Sequence, residues 1–155
     1  MDTSILRRKV PGRAQEEIAR SLAKFIGYDI ESEKSRGRID ETEHPFTIGY
    51  YDDVRITTHY YEDNFASSLY SVLHEGRHAM YEQNLKREWM YLPIGSGCSH
   101  GFHKSQSRFV ENIVGRSYEF WEYYLPELKK ITGSIFEDVS VEQMVSAVNV
   151  VRPPR

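Results

Sequence analysis

Residues 73–83 read LHEGRHAMYEQ, and His74, Glu75 and His78 stand there in the order H-E-x-x-H. On a helix, histidines four residues apart lie one turn apart on the same face, so both imidazoles can address one cation. Glu75 is roughly 100° further round. From there it is a poor ligand but can reach a water on the cation. Such a water becomes acidic on Zn2+, and a carboxylate so placed takes its proton as it attacks a peptide carbonyl. A catalytic zinc usually keeps three protein ligands and one open position, so another element must supply the third. Gly76 costs such a helix about 1 kcal/mol relative to alanine, which suggests room beside the metal for substrate or for another backbone.

The elements that must position these residues follow from hydrophobic period. Residues 61–85 carry Phe65, Leu69, Val72, Leu73 and Met80 on one face, with Asp63 or Asn64 as N-cap, and predict the helix that the motif demands. Residues 12–26 place Ala14, Ile18, Leu22, Phe25 and Ile26 at helical spacing, with Gly27 as a stop. Residues 1–12 read as an N-terminal tail and 31–43 as a polar loop. Between 46 and 60, β-branched and aromatic residues around Asp52-Asp53 predict a short β-hairpin. The glycine-rich stretch 93–101 is a loop. It leads into a long helix over about 102–125, with Val110, Ile113, Val114, Trp121 and Leu125 buried and Pro126 interrupting it. Ser140 and Gln143 make a capping box for a last helix carrying Met144, Val145 and Val148, and the prolines after Arg152 forbid further helix. The expected fold is mainly α.

Composition limits the partners. Net charge is −3 with acids and bases mixed along the chain, which excludes a nucleic-acid arm or a polybasic membrane patch. There is no signal-type apolar segment and no run of about 18 apolar residues. A single cysteine, Cys98, forbids an internal disulfide and suits a reducing compartment, so the expected location is cytoplasmic. As a nucleophile Cys98 has only His100 near it in sequence as a base.

More than one motif now stands in order. HPF (His44, Pro45, Phe46), DVRIT (53–57), HEGRH (74–78) and HKSQSRFVEN (103–112) come in the order and spacing of the thermostable metallocarboxypeptidases of the carboxypeptidase Taq type. The chain resembles the middle of such an enzyme over about residues 20–152. The resemblance implies a helical zinc-metallopeptidase core with a deep groove, one zinc ion per chain and a peptide substrate. It implies release of C-terminal residues one at a time with broad specificity, and usually a dimer. His74 and His78 would be zinc ligands and Glu75 the general base. His44, Pro45 and Phe46 would shape the groove, while Asp53, Arg55 and Thr57 would support the site or contact substrate. His103, Ser105, Gln106 and Arg108 would belong to the third-ligand helix.

The sequence departs from the family pattern in three places. The family's H-E-S-Q puts its third zinc ligand, a glutamate, where Lys104 stands here, and an ammonium has three donors and no lone pair. Arg77 stands where the family usually has glycine, and His59 stands in an arginine's place. Family members are also several times longer. Residues 1–155 therefore read as one partial catalytic domain, incomplete relative to the family and lacking its later arginine-containing motif, with apolar helix faces left for a homo-oligomer to cover. Glu111, two turns after Lys104, is a possible substitute ligand. The competing reading is a non-catalytic remnant or interaction module that keeps the fold without a complete zinc site. Outside the resemblance, Arg55 could simply pair with Asp53, and His100 and His103 could be solvated or capping residues. Tyr118, Trp121, Tyr123 and Tyr124 read as core and interface.

Overall fold

The structure is a computed structural model and describes residues 2–151. The prolines after Arg152 lie outside the described residues. Helix α1 spans Gly12–Ile26 and ends on Gly27, whose φ of 82° is the left-handed cap that glycine adopts without strain. Three strands follow: β1 (Gly37–Glu41), β2 (Thr47–Tyr50) and β3 (Asp53–Thr58). Their order is β1-β3-β2, with β3 central, parallel to β1 and antiparallel to β2. Helix α2 spans Phe65–Gln83, α3 His100–Arg108, α4 Tyr118–Thr132 and α5 Val141–Val148. The fold is mainly α, as the pattern predicts. Phe65, Leu69, Val72 and Leu73 of α2 are fully buried, together with Ile18 and Leu22 of α1, Val54 and Ile56 of β3, and Trp121 and Leu128 of α4.

Several expectations need correction. The 31–43 segment is not all loop, because Gly37–Glu41 pair with β3. Tyr28 makes this possible: its buried hydroxyl donates to the Val54 carbonyl at 2.5 Å and accepts the Arg38 N–H at 3.0 Å. The hairpin forms, but its turn is Tyr51-Asp52, and Asp53 already pairs with Tyr50. Residues 1–12 are not a loose tail. A 3-10 turn at Ser4–Arg7 buries Ile5, Val10 is fully buried, and Arg8 pairs with Asp138 at 2.5 Å.

The long helix over 102–125 is broken into α3, a π-helical turn at Phe109–Val114, and α4. Ser117 restarts the helix by accepting the Phe120 N–H at 3.1 Å, and Ile113 is 64% exposed rather than buried. Pro126 lies inside α4 instead of interrupting it. It is exposed, while Trp121, Tyr124, Leu125 and Leu128 carry the buried stripe across it. Phe25 is part-exposed, packing edge-on to Phe120. The Ser140–Gln143 capping box has both of its bonds.

Candidate metal centre

Helix α2 is clamped between α1 and β3, and this clamp sets the azimuth of its polar stripe. A Cβ at Gly76 would run into the Ile26 side chain at the end of α1. The glycine therefore serves helix packing, and the expectation of room beside a metal is overturned. With that face fixed, His74 and His78 point toward α3, their ring centroids 5.0 Å apart. Glu75 meets β2, where Thr47 Oγ1 donates to its carboxylate at 2.7 Å.

His74 is almost buried and is held at both nitrogens. Its Nδ1 lies 2.6 Å from Glu111 Oε2, and its Nε2 lies 3.0 Å from Lys104 Nζ. A carboxylate only accepts and an ammonium only donates. The two contacts together fix the neutral tautomer with the proton on Nδ1. That hydrogen bond is the main reason the Glu111 carboxyl sits below its ordinary value, against burial that raises it. The π-helical turn, with Gly115 tight against Leu73, brings Glu111 to this position. Glu111 is therefore a brace on the far nitrogen of His74 and not a substitute ligand.

His78 has a parallel arrangement. Its Nδ1 contacts His103 Nδ1, and His103 Nε2 lies 2.7 Å from Glu82 Oε1. Burial is the main cause that pushes the His78 pKa down to about 4, with the neighbouring His103, His74 and Lys104 acting in the same direction. With His103 donating to Glu82, its Nδ1 accepts from His78, which leaves the Nε2 lone pair of His78 available.

The remaining residues divide. Thr57, almost buried, donates its hydroxyl to the His44 carbonyl at 2.8 Å and accepts the Phe46 N–H at 2.9 Å. It thereby fixes the H-P-F segment, whose Pro45 lines an open groove of about 970 Å3 together with His74, Glu75, Arg108 and Glu111. Asp53 and Arg55 form a bidentate pair, 2.8 Å at each contact, on the exposed face of β3, and do not line this groove. His44 and Ser105 are exposed, the latter donating to the Phe102 carbonyl at 2.7 Å. Gln106 accepts from Arg77 at 3.2 Å, so the arginine at 77 is absorbed in the α2–α3 contact. His59 lies away from the site, on the Thr42 carbonyl at 3.0 Å. Cys98 is exposed, with the Tyr81 hydroxyl 3.9 Å away.

Glu82 and Thr47 escaped the sequence reading. Glu82 stands four residues after His78, a spacing that could have flagged it. Thr47 meets Glu75 only through tertiary packing and left no local signal.

The donor set does not fit a catalytic zinc. Two histidine nitrogens face the position, and the third group there is an ammonium already donating to one of them. Among the described residues, no group of three or more His, Cys, Asp or Glu is placed to hold a metal ion. No helix among them is long and apolar enough to cross a membrane.

Comparison with known proteins bears on this geometry. The family model for carboxypeptidase Taq (M32) metallopeptidases matches residues 1–154. Thermostable carboxypeptidase 1 of Thermus thermophilus is 48% identical over 98% of this chain and 29% of its own length. Carboxypeptidase 1 of Bacillus subtilis is 37% identical over 98% of this chain and 30% of its own. The crystal structure of the M32 carboxypeptidase from Deinococcus radiodurans R1 superposes with a TM-score of 0.88 at 39% identity, covering 96% of this chain and 29% of that one. The chain thus spans about 30% of the length of these relatives.

Proposed function

The chain belongs to the carboxypeptidase Taq (M32) metallopeptidase family, and on that premise we propose that α2 and α3 are the helix pair of a zinc-dependent metallocarboxypeptidase site. In this reading the activity is release of C-terminal amino acids from peptides with broad specificity. Hydrolysis by this chain is weak or absent, because its zinc site is incomplete. His74 and His78 occupy the metal-facing positions and Glu75, which lines the groove, the base position, its carboxylate steadied by Thr47. His44, Pro45, Phe46 and Thr57 shape the groove edge, and Arg108 stands at its wall. His103 supports His78, and Gln106 ties α3 to α2.

One observation carries the impaired form of this reading: Lys104 Nζ lies 3.0 Å from His74 Nε2, on the atom a metal would need. The same contact favours the second reading, a non-catalytic module that keeps the fold. A homo-oligomer is part of the proposal, supported by Phe102, Phe109 and Ile113, each more than half exposed in the α3 region. A cytoplasmic setting is also part of it, supported by the lone free Cys98.

Hydrolysis of a blocked dipeptide by the purified chain, with zinc supplied, tests the reading. The expected rate is at or near background. Robust hydrolysis that a chelator abolishes would overturn the impaired form.

A further inference from the structure

We infer that Lys104 is a built-in cation: its ammonium takes the metal's place on His74, and Glu111, His74 and Lys104 form a continuous hydrogen-bonded chain that needs no metal. The inference rests on the reading of His74 and His78 as the metal-facing histidines.

A missing third ligand would by itself leave His74 Nε2 open, and zinc could still bind weakly to two histidines. The geometry is more restrictive. A zinc ion sits about 2.0–2.1 Å from an imidazole nitrogen, along its lone pair. Here that lone pair already accepts from Lys104 Nζ at 3.0 Å. The two cations cannot share it, and like charges so close repel. On the other side of the ring, Glu111 accepts the Nδ1 proton at 2.6 Å. A carboxylate on the remote nitrogen of a metal-bound histidine fixes the ring and raises its basicity. Glu111 does the same here for a histidine bound to an ammonium. The chain runs from carboxylate through neutral imidazole to ammonium, with Arg108 Nη1 4.0 Å from the same Glu111 oxygen, and each hydrogen-bonded contact has donor and acceptor correctly matched.

The side chains of His74 and Glu111 are only 11% and 17% exposed, so the Glu111 carboxylate sits where solvent screens it poorly. Lys104 itself is exposed as a residue, and reaches in from α3 by its long stem. Replacing it therefore leaves the core intact.

Titration calorimetry with zinc chloride alone separates blocking from mere absence of a ligand. It compares the unmodified chain with Lys104→Leu, which offers no lone pair, and with Lys104→Glu. Expected is an ascending order of affinity: unmodified chain, then Lys104→Leu, then Lys104→Glu, with the first step at least about tenfold. Equal affinity of the unmodified chain and Lys104→Leu, with a gain only in Lys104→Glu, would overturn the inference. Tight binding by the unmodified chain would overturn it as well.

Should Lys104→Leu fail to fold, imidazole nitrogen NMR of the unmodified chain decides. The expected result is a neutral His74 with its proton on Nδ1 and an Nε2 resonance that zinc does not move. A zinc-dependent shift at Nε2 would contradict the assignment. Neither readout depends on hydrolysis, so failure of the enzyme reading and failure of this one are distinguishable.

Discussion

Helices α2 and α3 face each other across the site but are held by different forces. Ten of the nineteen residues of α2 are buried, whereas α3 buries only Ser107 of its nine. Helix α2 is placed by apolar packing against α1 and β3. Helix α3 and the π-helical turn after it are joined to α2 by polar side chains: Lys104 and, from the turn, Glu111 on His74, His103 on His78 and Glu82, Gln106 on Arg77. The difference teaches which half of the site can change chemistry without cost to the fold. A side chain at position 104 is exposed and can alter charge freely, while the azimuth of His74 and His78 is set by the core.

The sharpest way to break this contrast is to cut each helix. Leu73→Ala removes a fully buried side chain next to His74 and is expected to cost about 2–5 kcal/mol in urea unfolding. Phe102→Ala, on a residue 53% exposed, is expected to stay within about 0.5 kcal/mol. Equal costs would remove the distinction.

Next in size is the brace. Glu111→Ala leaves the His74 Nδ1 proton without its acceptor in a poorly solvated place, at an expected cost of about 1–3 kcal/mol. Unfolding curves identical to those of the unmodified chain would show that the contact is incidental. A smaller effect is expected from His103→Ala, about 1 kcal/mol, because one charge-assisted contact to Glu82 is lost near the surface. Hydrogen exchange should then quicken in α3 amides and stay slow in the centre of α2. Uniform quickening of both helices would argue against separate anchoring.

The smallest effect lies far from the site. The Asp138 carboxyl is held down to about 2, chiefly by its hydrogen bond with Arg8. A depressed carboxyl contributes stability above its unfolded value of 3.8, and this is lost as pH falls from there through about 2. Arg8→Gln should therefore lower stability slightly at neutral pH, where this contribution is fully present, and the two stability–pH curves should converge as pH falls from about 4 toward about 2, giving the variant the flatter acid limb. An unchanged acid limb would remove this link between the N-terminal segment and the region before α5.

Much of α2 was legible from sequence because core packing and the metal-motif spacing obey the same helical period. Phe65, Leu69, Val72 and Leu73 declared the buried face, and the buried face declared where the histidines point. Gly76 was misread because its neighbour, Ile26, is fifty residues away in sequence and no local rule names it. The α3 region was less legible for a related reason. Its apolar residues suggested one continuous stripe, but a π-helical turn shifts the phase, and Phe109 and Ile113 face outward. Gly115 followed by Ser117 was the available signal for that break. β1 was hidden in polar residues because its pairing depends on the buried Tyr28 rather than on its own pattern. The role of Lys104 was half legible: an ammonium cannot ligate, but only the fold shows it seated on His74 Nε2.

The most direct test is a crystal structure of the chain grown with excess zinc and measured at the zinc absorption edge. The account requires no anomalous peak between His74 and His78, and Lys104 Nζ within hydrogen-bond distance of His74 Nε2, close to the 3.0 Å seen here. A strong peak bonded to both histidines, with Lys104 swung out to solvent, would contradict it.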